Sequence, residues 1–500
     1  MKMFEKLGEL IVKRKKLIFS LFIVSILSAG AIGSSAFGKL ESGGYSDLNS
    51  DSAKAFEYVT DVFKVKEPAV VLVVEASEVI TSPSVVATAT KLEAQIKNEV
   101  GVDSTLSYWS SGGAPSLKSV DGKSAFLFIY GSTVEWNDIQ SLGKLIQSKY
   151  DGKFENLTVY GSGTGIFAHA INTKIADDLK ISEAISIPLT FILLVFVFGG
   201  LVASAMPLLV GVSAILGSLL VVYLLTLFTG VSVFALNLIT GLGLGLGIDY
   251  ALLIVNRFRE ELHSGKSVDE SVKRTVSTAG KTVFYSGLTI VITLASLMLF
   301  PLMFLKSFGY AGVTVVTMAV AGALIALPAL LAILGKKIDK AIVRKGAITP
   351  KENGRWAQTA RFVMRKPVSV VVLSLIILTV LAAPIKDIAF GQVDSQVLPK
   401  NHPAAVAARV VDERFPGRES VPVEFVIEDG TKFLGSAELK LYQAEIGSTE
   451  GILYLTDAVT SGKILRFTAI HSMAPRSLPA EALIDKLRKI PAPVGTLIGG

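Results

Sequence analysis

The sequence contains no cysteine among its 500 residues. This absence excludes disulfides, thiolate chemistry and cysteine-ligated metal sites, and it leaves the cellular compartment open. Charge is scarce, since 18% of the residues are charged and 51% are hydrophobic, which is too apolar a balance for an ordinary soluble protein. No Walker loop or nucleophile–base pattern is present, so we predict neither an enzyme nor a cofactor. The histidines are scattered and predict no metal site: His169, His263, His402 and His471.

Apolar residues are concentrated in runs of about 20, long enough to cross the ~30 Å hydrocarbon core of a membrane. The second run is short and closely precedes the third, which predicts a tight helical hairpin. We therefore predict a multi-pass α-helical protein of the cell membrane. The predicted spans are Leu17–Phe37, Ser186–Val202, Pro207–Leu227, Val233–Val255, Val283–Phe304, Tyr310–Leu334 and Val368–Pro384.

The net charge of +7 follows the predicted topology and does not indicate a nucleic-acid partner. Basic clusters precede span one (Lys13–Lys16), separate spans four and five (Arg257–Lys281) and separate spans six and seven (Lys336–Lys366). The positive-inside rule places all three clusters, and with them the N-terminus, in the cytoplasm. They can also contact anionic lipid headgroups. A cleaved signal peptide is the alternative for the first run, but its length and the later spans favour a retained helix.

The spans divide the chain into membrane and non-membrane segments. Residues 38–182 and 386–500 are predicted to be extracytoplasmic domains, the second incomplete. The remaining segments are a cytoplasmic N-terminus (1–16), span one (17–37), spans two to six (183–335, with a cytoplasmic loop at 256–282), a basic cytoplasmic segment (336–366) and span seven (367–385).

The first extracytoplasmic segment has the pattern of an α+β domain. Strand-like runs at Ala69–Glu75, Ser124–Gly131 and Leu157–Tyr160 alternate with helical patterns at Ser82–Val100 and Glu135–Lys149. With a weaker strand near 105–109, the order approximates β-α-β-β-α-β, the split βαβ or ferredoxin-like arrangement.

The second segment begins as a repeat of the first. Phe63 and Phe415 each close a helical pattern, and Glu75 and Glu428 each end the following strand. The repeat, of roughly 350 residues, predicts two units of one helix, one outer domain and further helices. Five spans expected from the symmetry are absent, so we expect the chain to be a fragment.

The most informative segment lies in span four, where glycines alternate up to an acidic residue. Their membrane context argues against a nucleotide-binding loop. In a helix, Gly241 pairs with Gly245 and Gly243 with Gly247, which predicts two closely packed faces. Asp249 continues the first pair, and Asn256 lies near the same face at the cytoplasmic end.

A carboxylate within a span costs at least ~2.5 kcal/mol on insertion scales and rarely persists without a partner or a role. Asp249 is therefore our candidate for a group that gains and loses a proton. Tyr250 is adjacent, although neighbouring helical residues diverge by ~100°. The alternatives are an Asp that bonds neighbouring Ser or Thr groups, or one that snorkels to the cytoplasm. Arg257 and Arg259 are interpreted as positive-inside anchors.

Gly241–Leu262 (GLGLGLGIDYALLIVNRFREEL) resembles the fourth-helix signature of the MMPL family, within the resistance-nodulation-division superfamily of exporters. The resemblance extends over nearly the whole chain. It implies proton-driven export of lipids or other hydrophobic molecules, outer porter domains, and a proton relay containing Asp249 and Tyr250. The family's second Asp-Tyr pair lies in a tenth helix, which this chain lacks.

The expected function is thus the N-terminal portion of a proton-coupled exporter. It would use the proton gradient and interact with membrane lipids, a hydrophobic substrate, and either the missing C-terminal helices or further copies of itself. Two alternatives stay open: a lipid-binding or lipid-sensing scaffold, and an accessory factor of protein translocation.

Overall fold

A computed structural model describes residues 2–41, 44, 47, 49–133, 135–341, 343, 354–387, 397–415, 422–473 and 477–499. Within these ranges, seven helical segments are long and apolar enough to cross a membrane, as the sequence predicts. Six of them pack into one bundle with a continuous apolar core. The seventh has no buried residue in its most apolar 18-residue stretch.

The helices of the bundle and its flanking segments comprise both the candidate spans and several shorter helices. The N-terminal amphipathic helix packs on α9, and α7, α8 and α11 form the centre of the bundle. Their bounds are α1 Lys2–Lys13, α2 Lys15–Gly33, α6 Thr164–Phe198, α7 Leu201–Leu225, α8 Ala235–His263, α9 Val268–Ser277, α10 Ala279–Ala295, α11 Met303–Ala321, α12 Leu327–Leu334, α13 Arg355–Arg365 and α14 Pro367–Ala382.

Several predicted span boundaries need correction. Helix α6 ends at Phe198, four residues before the predicted end, because Gly199 adopts a left-handed conformation (φ +72°) that stops the helix. The predicted hairpin turn is therefore only Gly199–Gly200. Helix α8 continues to His263, well into the segment predicted as a loop.

Span six is not a regular α-helix. One turn of π-helix, Gly322–Ala326, separates α11 from α12 immediately before Pro328. Proline lacks an N–H and disrupts the regular hydrogen-bond ladder of the preceding turn, which accounts for the irregularity at this point.

The first α+β domain, called the first outer domain after its predicted location, has the predicted β-α-β-β-α-β order, with one additional short strand. All paired strands are antiparallel, in the order β2-β3-β1-β5-β4. Two helices cover one face of this sheet. The bounds are β1 Val70–Ala76, α4 Pro83–Lys97, β2 Val102–Ser107, β3 Ser124–Gly131, α5 Trp136–Tyr150, β4 Gly152–Phe154 and β5 Leu157–Ser162.

The second outer domain repeats this order. Its sheet runs β10-β6-β9-β7, with β8 paired to β9, so β6 and β10 take the places of β1 and β5. The bounds are β6 Val423–Ile427, α16 Ala437–Gly447, β7 Ile452–Leu455, β8 Val459–Ser461, β9 Ile464–His471, α17 Leu478–Arg488 and β10 Thr496–Gly499.

The helices that precede the two sheets are exchanged between them, which the repeat did not predict. Helix α3 (Asp51–Asp61) packs on β10 and β6 of the second sheet. Helix α15 (Pro403–Arg414) packs on β5 and β1 of the first. Helix α3 precedes the first domain in the chain but packs on the second. Helix α15 precedes the second domain but packs on the first.

Helix α3 buries Ala55 and Val59 against Val426 of the second sheet. The Tyr58 hydroxyl donates a hydrogen bond to Glu428 Oε1 (2.8 Å). Just beyond the helix, the Phe63 ring lies 5.8 Å from the guanidinium of Arg466. Apolar burial and polar bonds together fix α3 to this sheet.

The α15 end is fixed in a similar way. Phe415 is fully buried, and its ring stacks on Phe126 with 3.8 Å between centroids. Arg414 donates hydrogen bonds to Glu75 (2.6 Å) and Asp121 (2.8 Å). Arg414, next to the repeat position Phe415, therefore bonds the repeat position Glu75 across the exchange.

The N-terminus of α15 depends on a histidine cap. His402 Nδ1 accepts a hydrogen bond from the Ala404 N–H (3.2 Å), and Pro403 occupies the first helical position. Burial lowers the pKa of His402, against the opposing influence of the nearby Asp151 carboxylate. His169 also lies close enough to interact with His402 electrostatically.

Candidate functional site

The two predicted glycine pairs of α8 have opposite environments. A Cβ on Gly243 would lie 2.5 Å from Ile215 Cγ1, and a Cβ on Gly247 would lie 2.6 Å from Gly211 Cα. Helices α7 and α8 therefore touch backbone to backbone along this pair, here called the packed stripe. Small residues permit such close approach in membrane bundles.

The pair that leads to Asp249 is not packed against any described residue. A Cβ on Gly241 or on Gly245 would meet no described atom within 4 Å. Asp249 and Asn256 are exposed and continue the same side of the helix. The expectation of a closely packed face at Asp249 therefore does not hold within the described chain. Gly241, Gly245, Asp249 and Asn256 are here called the open stripe.

Tyr250 points into the bundle, away from the open stripe. It is 2% exposed, and its hydroxyl has no hydrogen-bond partner among the described residues. The hydroxyl lies 3.7 Å from the position that a Cβ would take on Gly287 of α10. Consecutive helical positions diverge by ~100°, so the acid and the phenol serve different neighbours. Asp249 and Tyr250 are adjacent in sequence, but their side chains lie on different sides of α8.

The last two turns of α8 carry a buried cation that the sequence interpretation missed. Arg259, which the sequence predicts to be a positive-inside anchor, is only 5% exposed. Its Nε donates to Asp339 (2.8 Å), and its Nη1 donates to the Phe198 carbonyl (3.1 Å). This one side chain connects α8 to the end of α6 and to the segment after α12.

His263 completes the same cluster. Its Nε2 lies 3.2 Å from Asp339 Oδ2, and its Nδ1 lies 2.6 Å from the Arg259 carbonyl. Close by, the Val343 N–H donates to the Gly199 carbonyl (2.8 Å), so the segment after α12 crosses the α6–α7 turn. The only sequence signal was the four-residue spacing of Arg259 and His263, because Asp339 lies 80 residues further along.

Arg257, by contrast, is a partly exposed surface residue that pairs along its own helix. It forms an ion pair with Glu260 at 2.7 Å and a second with Glu261. Lys266 also pairs with Glu261. The carboxylate of Glu261 is buried, so these two cations neutralise it. Nothing in this arrangement points to a substrate contact.

The architecture defines a class of protein: a multi-pass membrane protein with two α+β domains and an acidic residue within a central span. The family model of the MMPL family matches residues 45–370, a region that contains the first outer domain and five of the six bundled spans, since α2 lies before it. The chain therefore belongs to the MMPL family of membrane transporters.

Named relatives agree with this assignment. A membrane protein of Streptomyces coelicolor is 40% identical over 275 residues, which is 55% of this chain and 38% of the relative. The trehalose monomycolate exporter MmpL3 of Mycobacterium tuberculosis is 34% identical over 54% of this chain and 32% of its own length. The mycolic acid-containing lipids exporter MmpL11 of Mycolicibacterium smegmatis is 26% identical over 69% and 37%. The chain thus spans well under half the length of these relatives.

Proposed function

We propose that this chain is part of a proton-driven exporter of lipids, and that Asp249 is a proton-carrying residue in it. The observation that carries the proposal is the open stripe, with a carboxylate, an amide and two glycines on one side of a membrane helix. Family membership and the names of two exporters among the relatives support lipid as the substrate class.

The open stripe is a poor surface for lipid. A carboxylate at the centre of a span costs at least ~2.5 kcal/mol, and such groups face protein or water. Glycine has no side chain, so another helix can pack closely against Gly241 and Gly245. We infer that the open stripe contacts further helices that carry a second acidic residue. Asp249 would then bind a proton in one arrangement of the two sets of helices and release it in the other.

Tyr250 has a different part in this proposal. Its buried hydroxyl lacks a partner among the described residues and lies against the backbone of α10 at Gly287. A bound water there would satisfy it, as buried waters commonly do for orphaned polar groups. We propose that Tyr250 extends the proton path of Asp249 towards α10.

The proposed orientation places α1, α9 and α13 in the cytoplasm. These helices lie at the ends of spans that share one membrane side by chain connectivity, and the basic clusters occur there. The positive-inside rule supports this orientation. The two sheets then lie outside the cytoplasmic membrane.

The test is Asp249→Asn in the chain expressed with any coding sequence that follows Gly500. We expect loss of pH-gradient-dependent movement of a fluorescent trehalose mono-ester across proteoliposomes, since asparagine cannot carry a proton. Glu260→Gln is the matched control, because it neutralises an exposed carboxylate on the same helix. It should retain transport.

Transport by Asp249→Asn at the wild-type rate would reject the relay. Gradient-independent binding of the lipid by both proteins would instead favour a lipid-binding scaffold.

A further inference from the structure

Span six contains one turn of π-helix between two α-helical segments. The N–H of Leu327 donates to the carbonyl of Gly322, five residues earlier, where a regular α-helix would use the carbonyl of Ala323. The turn lies inside the bundle, and four of its five residues are buried. Turns of this kind are rare and occur frequently at functional positions, so its surroundings are informative.

Pro328 removes the usual advantage of the α register at this turn. Proline has no N–H, so at least one carbonyl of the preceding turn lacks a helical donor in either register. In a regular α-helix that carbonyl would be the one of Leu324, four residues before the proline. A change of register therefore gives the Leu327 N–H a different acceptor without requiring a further donor.

The segments on either side of the π turn are fixed to different neighbours. In α11, Gly312 lies against Leu294 of α10, and a Cβ on this glycine would come within 2.6 Å of the leucine side chain. In α12, the Ala332 carbonyl accepts a hydrogen bond from Lys15 of α2 (3.2 Å). The two segments therefore follow separate parts of the bundle, and the π turn is the connection between them.

The π turn also lies between the Tyr250 hydroxyl and the Arg259 cluster. Val320, two residues before the turn, packs on Gly287, the glycine beside the Tyr250 hydroxyl. Asp339, which follows α12, accepts the hydrogen bond from Arg259 (2.8 Å). One residue of register corresponds to ~1.5 Å along a helix and ~100° around it. A change of register therefore displaces one of these two contacts relative to the other.

We propose that the π turn at Gly322–Ala326 is a hinge with two hydrogen-bond registers, and that its change of register couples the surroundings of Tyr250 to the bond between Arg259 and Asp339. With α11 held against α10, the change moves α12 by about one residue. A shift of ~1.5 Å is enough to break a bond of 2.8 Å. Packed helices change between discrete arrangements of this kind. The hinge does not depend on whether Asp249 carries a proton.

The absence of cysteine allows a pair of spin labels to be placed across the turn. Thr317→Cys in α11 and Ile333→Cys in α12 are both at exposed positions. Asn237→Cys with Leu253→Cys is the matched control, because these exposed positions have the same spacing of 16 residues along α8, which contains no proline. The distances between the labels are measured by pulsed electron paramagnetic resonance on the 500-residue chain in nanodiscs.

We expect one distance for the α8 pair, set by the ~24 Å that 16 helical residues span, and two components for the span-six pair. Pro328→Ala should leave a single component in span six, because the added N–H completes the α register. One component in the wild type, as narrow as that of the α8 pair, would overturn the proposal whether or not the variant folds. Two components that persist unchanged in Pro328→Ala would overturn it as well.

The coupling to the Arg259 cluster has its own test. Asp339→Asn weakens the bond to Arg259 and should change the ratio of the two components about tenfold, as expected for the loss of one hydrogen bond between charged groups. Glu260→Gln neutralises an exposed carboxylate on α8 and should leave the ratio unchanged. Equal ratios in the wild type and in Asp339→Asn would reject a hinge that is coupled to this bond.

Discussion

At the scale of single residues, the glycines of α8 divide into two functional groups. Gly243 and Gly247 permit contact with α7, whereas Gly241 and Gly245 leave the side of Asp249 uncovered among the described residues. The alternating sequence looks uniform, but only one pair is needed for packing of the described bundle.

Gly247→Ala should therefore lower the stability of the 500-residue chain by about 1–3 kcal/mol, because the new methyl would overlap the Gly211 backbone. Gly245→Ala should be neutral or slightly stabilising, since alanine has a higher helix propensity. Thermal unfolding in detergent measures both. Equal melting temperatures for the two variants would contradict this assignment.

The sequence predicted which residues of α8 share a side of the helix better than it predicted which neighbouring helix packs on each side. Spacing placed Asp249 with Gly241 and Gly245 on one side of a helix, and that geometry is confirmed. Spacing could not tell which of the two glycine pairs meets α7, because helical periodicity is identical for both. The proton-carrying role of Asp249 remains a prediction.

At the scale of elements, the Arg259 cluster connects three helical segments at one end of the bundle. A buried cation is costly to leave unpaired, so its partner contributes to the arrangement of α6, α8 and α12. Helix propensity and hydropathy contain no information about this connection, since Asp339 is remote in sequence from both α6 and α8.

Asp339→Ala should destabilise the chain by about 3 kcal/mol, because Arg259 would lose its carboxylate partner while staying buried. Asp269→Ala is the control. Its bond to Lys15 is 3.4 Å long and its side chain is 55% exposed, so the expected loss is under ~1 kcal/mol. The comparison uses melting temperatures, and similar shifts would refute a special role for the buried pair.

The cap of α15 predicts a pH dependence. The pKa of His402 is lower in the folded chain than its usual 6.5, so the unfolded state binds more protons around that value. Stability of the α15 contact should be complete above pH 6.5 and decrease as the pH falls through the folded pKa. Hydrogen-exchange protection of residues 403–414, corrected for intrinsic rates, measures this decrease.

His402→Asn provides the control for that effect. Asparagine retains a capping oxygen but does not titrate. The variant should keep more of its α15 protection at pH 5.5 than the wild type. An unchanged pH profile would assign the effect to His169 or Asp151 instead.

At the scale of the whole molecule, the two outer domains are joined by exchange of their leading helices. The repeat was visible in the sequence through Phe63 and Phe415, and through Glu75 and Glu428. The exchange was not visible, because α3 and α15 both present small apolar faces that either related sheet could accept. Only long-range contacts distinguish the two pairings.

A disulfide can test the exchange in this cysteine-free chain. Ala55→Cys with Gly499→Cys should form a bond under mild oxidation, since the two Cβ positions are 3.1 Å apart, near the ~3.5–4.5 Å of disulfides. Ala407→Cys with Gly499→Cys is the matched control, because Ala407 precedes Phe415 as Ala55 precedes Phe63. Bonding in the control pair alone would show that each helix packs on its own domain. Mass spectrometry of peptides identifies the bond.

The exchange also imposes an order in time. Helix α3 is complete at Asp61, but the sheet that buries Ala55 and Val59 begins at Val423, about 360 residues later. At about 5–20 residues per second, the ribosome needs roughly 20–70 s to reach the first strand of that sheet. During this interval the first outer domain can assemble its own strands, while α3 keeps its apolar side uncovered. A nascent chain of this protein therefore carries an unpaired helix until the second domain has been synthesised.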